Sequence, residues 1–289
     1  MKVPLAGADA AGNPTETLLS EVGLVLLVMF DTAEACVLRL VCREFVEAVA
    51  RQQWEDRETV IKGSLAAWRA CFPRARCANV KRWDVFNGTV RKIPLVDADF
   101  AHLEGLRELN MAGCRAVTDA AFAHLRGIHT LDMSGCRQPA ITDAAFAHLV
   151  GIQRLSIRGC NQATLTDAAF VHLRGIQLLN MGNCTQLTDA AFVHLRGIHK
   201  LNMRWCNQPA ISDAAFLHLR GIHTLVIEGC TQATLTGAAF AHLRGIRALG
   251  MWLSRDDLVA AARGLGLPVS TRLGRIMGGL RFTLPSADN

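Results

Sequence analysis

Hydrophobic positions along this chain follow two periods in turn. Across Ile128-x2-Leu131-x-Met133-x2-Cys136 apolar and polar residues alternate, the pattern of a half-buried strand, and at Phe146 and Leu149 the spacing becomes helical. The same switch recurs along the chain. Its Phe returns at Phe100, Phe122, Phe146, Phe170, Phe192, Phe216 and Phe240, and its Cys at Cys114, Cys136, Cys160, Cys184, Cys206 and Cys230, in steps of 22 or 24 residues. Each unit therefore reads as a short strand, a turn and a helix. One unit cannot bury its apolar side alone, so the units must stack.

The step length lies in the range of leucine-rich repeats, with Cys where such strands often carry Asn. The expected fold is an α/β solenoid, a leucine-rich repeat horseshoe with a parallel sheet on its concave side and short helices on its convex side. Thr118, Thr142, Thr166, Thr188, Ser212 and Thr236 precede the helices, where a hydroxyl caps exposed N–H groups. Asp follows in most units, favoured at the positive end of the helix dipole. Gly237 replaces it in the last unit and predicts a weaker cap there. Phe100 to Phe170 and Phe170 to Phe240 each span 70 residues, and Gln138-Pro139-Ala140-Ile141 matches Gln208-Pro209-Ala210-Ile211. A block of three units has been duplicated. The units that are shorter by two residues lose them after Cys114 and Cys184, so the turn should vary there and the strand should not.

Residues 1–16 read as a disordered tail and 17–56 as three short helices, broken at Asp31-Thr32 and near Arg43-Glu44. Leu38, Val41, Phe45 and Val49 mark one face of the helical stretch. Residues 57–95 form a connector with a degenerate first repeat: a helix ending at Phe72-Pro73, a strand over Cys77 to Val80, then a basic irregular stretch from Lys81 to Lys92. The array occupies 96–253. A C-terminal cap follows over 254–289, where Ser254 takes the place of a seventh Cys. It should hold a helix capped by Asp256 or Asp257 and stopped by Gly264 and Gly266, then a strand near Leu280 to Thr283.

Composition adds limits rather than a function. The net charge of +6 permits an acidic partner, but no basic run or RNA-binding signature points to nucleic acid. Of ten cysteines, six share one repeated position, where a free thiol acts as a small buried hydrophobe. All ten read as reduced, which implies an intracellular setting, cytoplasmic or nuclear. No signal peptide is evident. Val22 to Phe30 is apolar but too short to span a bilayer, so no membrane role is expected.

Cys and His together raise the question of a metal. Seven histidines hold one helical position and six cysteines follow the strands. Such ladders spread ligands along the stack, whereas zinc needs them to converge on one point. Every Cys, His and Asp that could form a catalytic group likewise has copies in neighbouring units, so neither a cofactor nor an enzyme activity is implied. What differs between units is the set of outward strand positions. There the basic residues Arg154, Arg158, Lys200 and Arg204 surround Leu178, Trp205 and Trp252. Arg and aromatic residues at otherwise small positions are the composition of a binding surface. The expected target is an acidic or phosphorylated protein segment with an apolar anchor, repelled by Glu228.

The N-terminal helical stretch resembles an F-box. That pattern opens with Leu-Pro-x-Glu-hydrophobic and closes with hydrophobic-Cys-Arg-x-Trp, matched here by Leu18-Leu19-Ser20-Glu21-Val22 and by Val41-Cys42-Arg43-Glu44-Phe45. Leu26 and Leu27 stand where the family carries Ile-Phe, while Leu19 and Phe45 replace its proline and tryptophan. With the array, the chain resembles F-box proteins with Cys-containing leucine-rich repeats. That resemblance implies a substrate receptor of a cullin-type ubiquitin ligase. A Skp-family adaptor would dock on Leu18, Leu19, Glu21, Val22, Leu26, Leu27, Val41, Cys42 and Phe45, and a target protein would sit in the solenoid. A plain interaction scaffold with no ligase attached is the alternative.

Overall fold

The computed structural model describes residues 30–40, 43–81, 94–252 and 254–270. Among the described residues nine parallel strands form one sheet in strict chain order: β1 (Cys77–Asn79), β2 (Glu108–Asn110), β3 (Thr130–Asp132), β4 (Arg154–Ser156), β5 (Leu178–Asn180), β6 (Lys200–Asn202), β7 (Thr224–Val226), β8 (Ala248–Gly250) and β9 (Val269–Ser270). The register aligns the central leucines, Leu109, Leu131, Leu155, Leu179, Leu201, Leu225 and Leu249, in one inward file. Seven full rungs, each a convex helix and the strand after it, run from Phe100 with β2 to Phe240 with β8.

The convex elements are short because each has only four residues ending in Phe, Asp-Ala-Ala-Phe in five of the seven rungs, and three or so residues beyond it. In rungs two, three, five and six one α-turn tightens into a 3-10 turn, as in Asp119–Phe122 followed by Ala123–Leu125. In rungs one, four and seven the element is 3-10 throughout. A 3-10 turn covers more length per residue, which suits a segment that must span the back of a rung in few residues. All seven phenylalanines are fully buried and form one continuous core with the leucine file.

The longer rungs differ from the shorter ones only in the turn. Ile141 N–H closes on the Gln138 carbonyl at 3.2 Å and Ile211 on Gln208 at 3.2 Å, in the segments that the shorter rungs lack. Strand register is unchanged on either side.

Each Thr or Ser before a convex helix accepts from the N–H two residues on, at 3.1–3.2 Å, as expected of a cap. The following Asp does more than favour the dipole. Its carboxylate reaches the next rung and accepts from both the backbone N–H and the hydroxyl of that rung's capping residue. Asp143, for example, meets Thr166 N at 2.7 Å and Oγ1 at 2.6 Å, and the pattern runs unbroken from Asp97 to Thr236. Gly237 ends this chain of bonds. Its own cap is intact, Ala238 N to Thr236 Oγ1 at 3.2 Å. A Cβ at Gly237 would stand 2.7 Å from the Ala261 Cβ, so the residue clears space for the closing helix Asp256–Gly264.

That helix is capped differently from expectation. Arg255, not Asp256 or Asp257, occupies the N-cap, and it makes no side-chain cap bond. Its guanidinium instead pairs with Asp257 and donates to the carbonyls of Gln232 at 3.0 Å and Leu235 at 3.2 Å, tying the helix to rung seven. β9 lies earlier than the strand expected near Leu280 to Thr283, which falls outside the described residues.

At the other end, helices Thr32–Leu38 and Arg43–Arg51 precede the connector helix Leu65–Cys71. Asp31 caps the first with a capping box closed by Glu34. Trp54 is buried against Phe72, ring centroids 5.3 Å apart, with its indole N–H on the Val49 carbonyl at 2.8 Å. The helical segment therefore shares the core of the degenerate first repeat.

Two measurements test this packing. Phe170 is fully buried with Leu173 and Leu179, so Phe170→Ala should cost about 3–5 kcal/mol in denaturant unfolding. His172→Ala, half-exposed on the same turn, should cost under about 1 kcal/mol. Gly237→Asp would restore the repeat's sequence yet should destabilise the protein by about 1–3 kcal/mol, through overpacking against Ala261.

Candidate functional site

The outward face of the sheet carries three files of side chains, and their roles differ. The middle file is Asn79, Asn110, Asp132, Ser156, Asn180, Asn202, Val226 and Gly250. Its amides and carboxylate fold back on the chain. Oδ1 of Asn110, Asp132, Asn180 and Asn202 accepts from the N–H two residues later at 3.0–3.2 Å. These side chains shape the turn that follows each strand. Burial pushes the Asp132 carboxyl up, opposed by the bonds from Ser134 and by the positive charges of Arg158 and Lys81.

The first file is Cys77, Glu108, Thr130, Arg154, Leu178, Lys200, Thr224 and Ala248. Glu108 is held by a bidentate pair with Arg57 of the connector, at 2.6 and 3.0 Å. Together with Asn79, Asn110, Lys81 and Asp132 they line a polar cavity of about 270 Å3. Leu178, expected as an exposed apolar anchor, is only 8% exposed. The register sets Arg154 and Lys200 directly beside it, and long side chains at those positions shield the residue between them.

The third file brings together residues just beyond the strands, among them Arg158, Arg204, Glu228 and Trp252. Glu228 is not a free repelling charge. It is 2% exposed, and its Oε2 lies 2.8 Å from Arg204 Nε. Burial raises the Glu228 carboxyl and the Arg204 charge opposes that rise. The positive charge of Arg204 is therefore matched by Glu228, while Arg158 is exposed and Arg154 and Lys200 are half-exposed.

Trp205 is the exceptional member of this face. The position after the third file is left-handed in every rung from one to six, and Gly fills it at Gly113, Gly135, Gly159 and Gly229. Asn183 and Trp205 do so at φ 60° and 59°. A bulky residue there is strained, by about 1–2 kcal/mol. The indole lies across Gly229, where an added Cβ would come within 2.4 Å of the ring, and the residue remains 42% exposed. Trp252 is half-exposed one rung beyond Gly229.

The cysteine file serves the fold. Each sulfur donates to a carbonyl in the preceding rung, as Cys184 to Ile157 at 3.1 Å and Cys206 to Met181 at 3.1 Å, and Ser254 makes the same contact to Ile227 at 3.3 Å. Burial pushes the Cys160 and Cys206 thiols up to about 12, which keeps them protonated. Among the described residues no three His, Cys, Asp or Glu side chains converge as a metal would need.

Of the residues expected to meet an adaptor, Leu18, Leu19, Glu21, Val22, Leu26, Leu27, Val41 and Cys42 lie outside the described residues. Phe45 is half-buried on the helix Arg43–Arg51. Two neighbours not singled out from the sequence, Val37 and Leu40, are apolar and exposed at 63% and 86%. More than half of Trp205 is covered, its ring lying on Gly229, so Trp205→Gly should lower stability by about 1 kcal/mol in denaturant unfolding, the lost packing outweighing the relieved strain. A gain of stability instead would show that the backbone term outweighs ring packing.

No protein-family model matches the chain, and no curated protein does. Among solved structures, it is similar to Toll in a Drosophila Toll–Spatzle complex, at TM-score 0.52 and 14% identity over 84% of this chain and 37% of that one. It is also similar to TLR13 in a complex with ssRNA13, at TM-score 0.44 and 16% identity over 63% and 30%, respectively. A third is LegL7 of Legionella pneumophila, a leucine-rich repeat-containing protein, at 0.43 and 11% over 68% and 72%. The chain spans well under half of the Toll and TLR13 chains. With its nine parallel strands in sequence order and convex turns between them, the chain is an α/β leucine-rich repeat solenoid.

Proposed function

We propose that the chain is a non-catalytic binding protein that holds a protein partner on the outer face of its sheet. The observation that carries this reading is Trp205, a bulky residue kept in a strained left-handed conformation with its ring exposed. Strain of this kind persists where the surroundings enforce it, and it clusters at binding sites. Lys200 stands on the same rung as Trp205, and Arg154 and Arg158 stand two rungs earlier, a basic surround suited to an acidic or phosphorylated segment whose apolar residue meets Trp205. The reduced, buried cysteine file supports an intracellular setting.

The finer reading is that the partner is the target of a cullin-type ubiquitin ligase, delivered through a Skp-family adaptor. It rests on the F-box resemblance, and exposed Val37 and Leu40 within that stretch add apolar surface for an adaptor. Such a receptor works by raising the target's concentration near the ligase. A scaffold with no ligase link shares the sheet-face site but not the adaptor.

Two experiments separate these readings. Co-purification of wild type and a Leu26→Ala, Leu27→Ala variant with the adaptor should recover it only with wild type. Equal recovery, or none, removes the ligase link and leaves the scaffold. Once proximity labelling has supplied a target, Arg158→Glu and Trp205→Gly should each weaken its capture about tenfold or more. Added salt should weaken wild-type capture too. Arg204→Glu is a poor probe, since it would set two carboxylates together in a buried site. Unchanged capture by both variants would show the sheet face to be a solvated surface.

A further inference from the structure

Every rung leaves its convex helix through one short exit, His-Leu-Arg-Gly-Ile in five of the seven. The Leu and Ile point into the core, the Gly is left-handed at φ 76–87°, and the His and Arg are left on the outside. Stacking turns these into files along one edge of the solenoid. Rungs four to seven carry Arg174, Arg196, Arg220 and Arg244, all exposed, with His172, His194, His218 and His242 half-exposed beside them. A further file stands where the strands begin, aligned by backbone bonds from His199 to Gln177, His223 to His199 and Arg247 to His223 at 2.9–3.1 Å. The His199 and His223 rings stack at 4.8 Å. No carboxylate stands in any of these files in rungs four to seven. The acids of the convex helices sit at the opposite end, spent on the capping residues of the next rung.

We propose that this exit edge of rungs four to seven is a second interaction surface, which binds an extended acidic polypeptide and grips it harder as the histidines gain protons. Successive rungs advance by about 4.8 Å, so four arginines span roughly 14 Å, the reach of about five extended residues with alternate carboxylates on one side. Arg takes a carboxylate with two parallel bonds. Single-stranded nucleic acid fits less well, because no Phe, Tyr or Trp stands in these files to stack a base. A duplex would present its charges on two strands across a groove, whereas the arginines form a single file.

The proton dependence follows from how the files touch. Arg196 Nε lies 3.4 Å from His218 Nδ1 and donates to it, which requires an uncharged imidazole, and Arg126 meets His148 in the same way. Burial and the Arg196 charge hold His218 below the usual imidazole range, against a weaker upward pull from Asp189. Arg220 on its own rung and Arg244 on the next are both cationic. Acidification therefore converts a bridging contact into repulsion, and a carboxylate placed between the two side chains relieves it. An anion that favours the charged imidazole must bind more tightly as pH falls through the imidazole range.

The test uses the full chain and a fluorescent oligo-aspartate of about ten residues, at about pH 7.5 and about pH 5.5, where aspartate stays ionised. Affinity should rise about tenfold or more on acidification. Arg196→Ser with Arg220→Ser, both at exposed sites, should lose most of that affinity at either pH, while Arg158→Glu on the sheet face should retain it. Unchanged affinity in the double variant, or binding that ignores pH, overturns the proposal. Tighter binding of a single-stranded RNA of equal charge overturns it too, and marks the edge as a nucleic-acid surface. Loss in Arg158→Glu alone would assign the peptide to the sheet face instead.

Discussion

A strand of three residues cannot satisfy its own backbone, and everything else in this protein answers to that constraint. The N–H and C=O groups of each strand find partners on the rungs before and after it, as when Met133 N–H reaches Ser156 and Met181 N–H reaches Asn202. The register must therefore hold across the whole array. It is held by identical inward residues, Leu in the strand and Phe behind it, which pack the same way whichever rung they occupy. Buried polar satisfaction and buried apolar area are thus obtained by one repeated geometry.

The same constraint explains what could be read from the sequence. Inward residues repeat because the stack repeats, so the strands, the convex turns, the two turn lengths and the capping Thr positions were all legible from spacing. Interactions between rungs were not. The carboxylate of Asp143 serves Thr166, 23 residues away, and within one unit it looks like an ordinary first-turn acid. The Arg and His files at the exit edge were hidden for the same reason, since no basic run exists along the chain and stacking creates one. Outward residues were misjudged where their neighbours decide exposure: Leu178 is shielded by long side chains on both sides, and Glu228 is drawn inward by Arg204. The ends were least legible, because there the repeat no longer supplies the rule. β9 is two residues long and follows a proline, and Arg255 takes the capping place beside two aspartates better suited to it.

Function on such a scaffold lies in departures from the rule. Gly159 and Trp205 hold equivalent places, and the backbone conformation suits only the first. The structure keeps Trp205 there because the register of β6 and the Glu228 carbonyl on its N–H fix the turn. The indole is thereby presented to solvent on a rigid frame, with little freedom left to lose when a partner arrives.

The carboxylate handed from rung to rung also gives the array a direction. Each unit offers an acid forward and receives one from behind, so any unit from the second to the sixth has the same coupling at both ends. A unit copied or removed within that interval leaves every junction chemically unchanged, which is how a block of 70 residues can be present twice without a misfit at the seam. The seventh unit receives but has nothing to offer, for Gly237 has traded its acid for the closing helix. Growth of this array is therefore internal by construction: it lengthens by insertion between existing units, while its last member stays last.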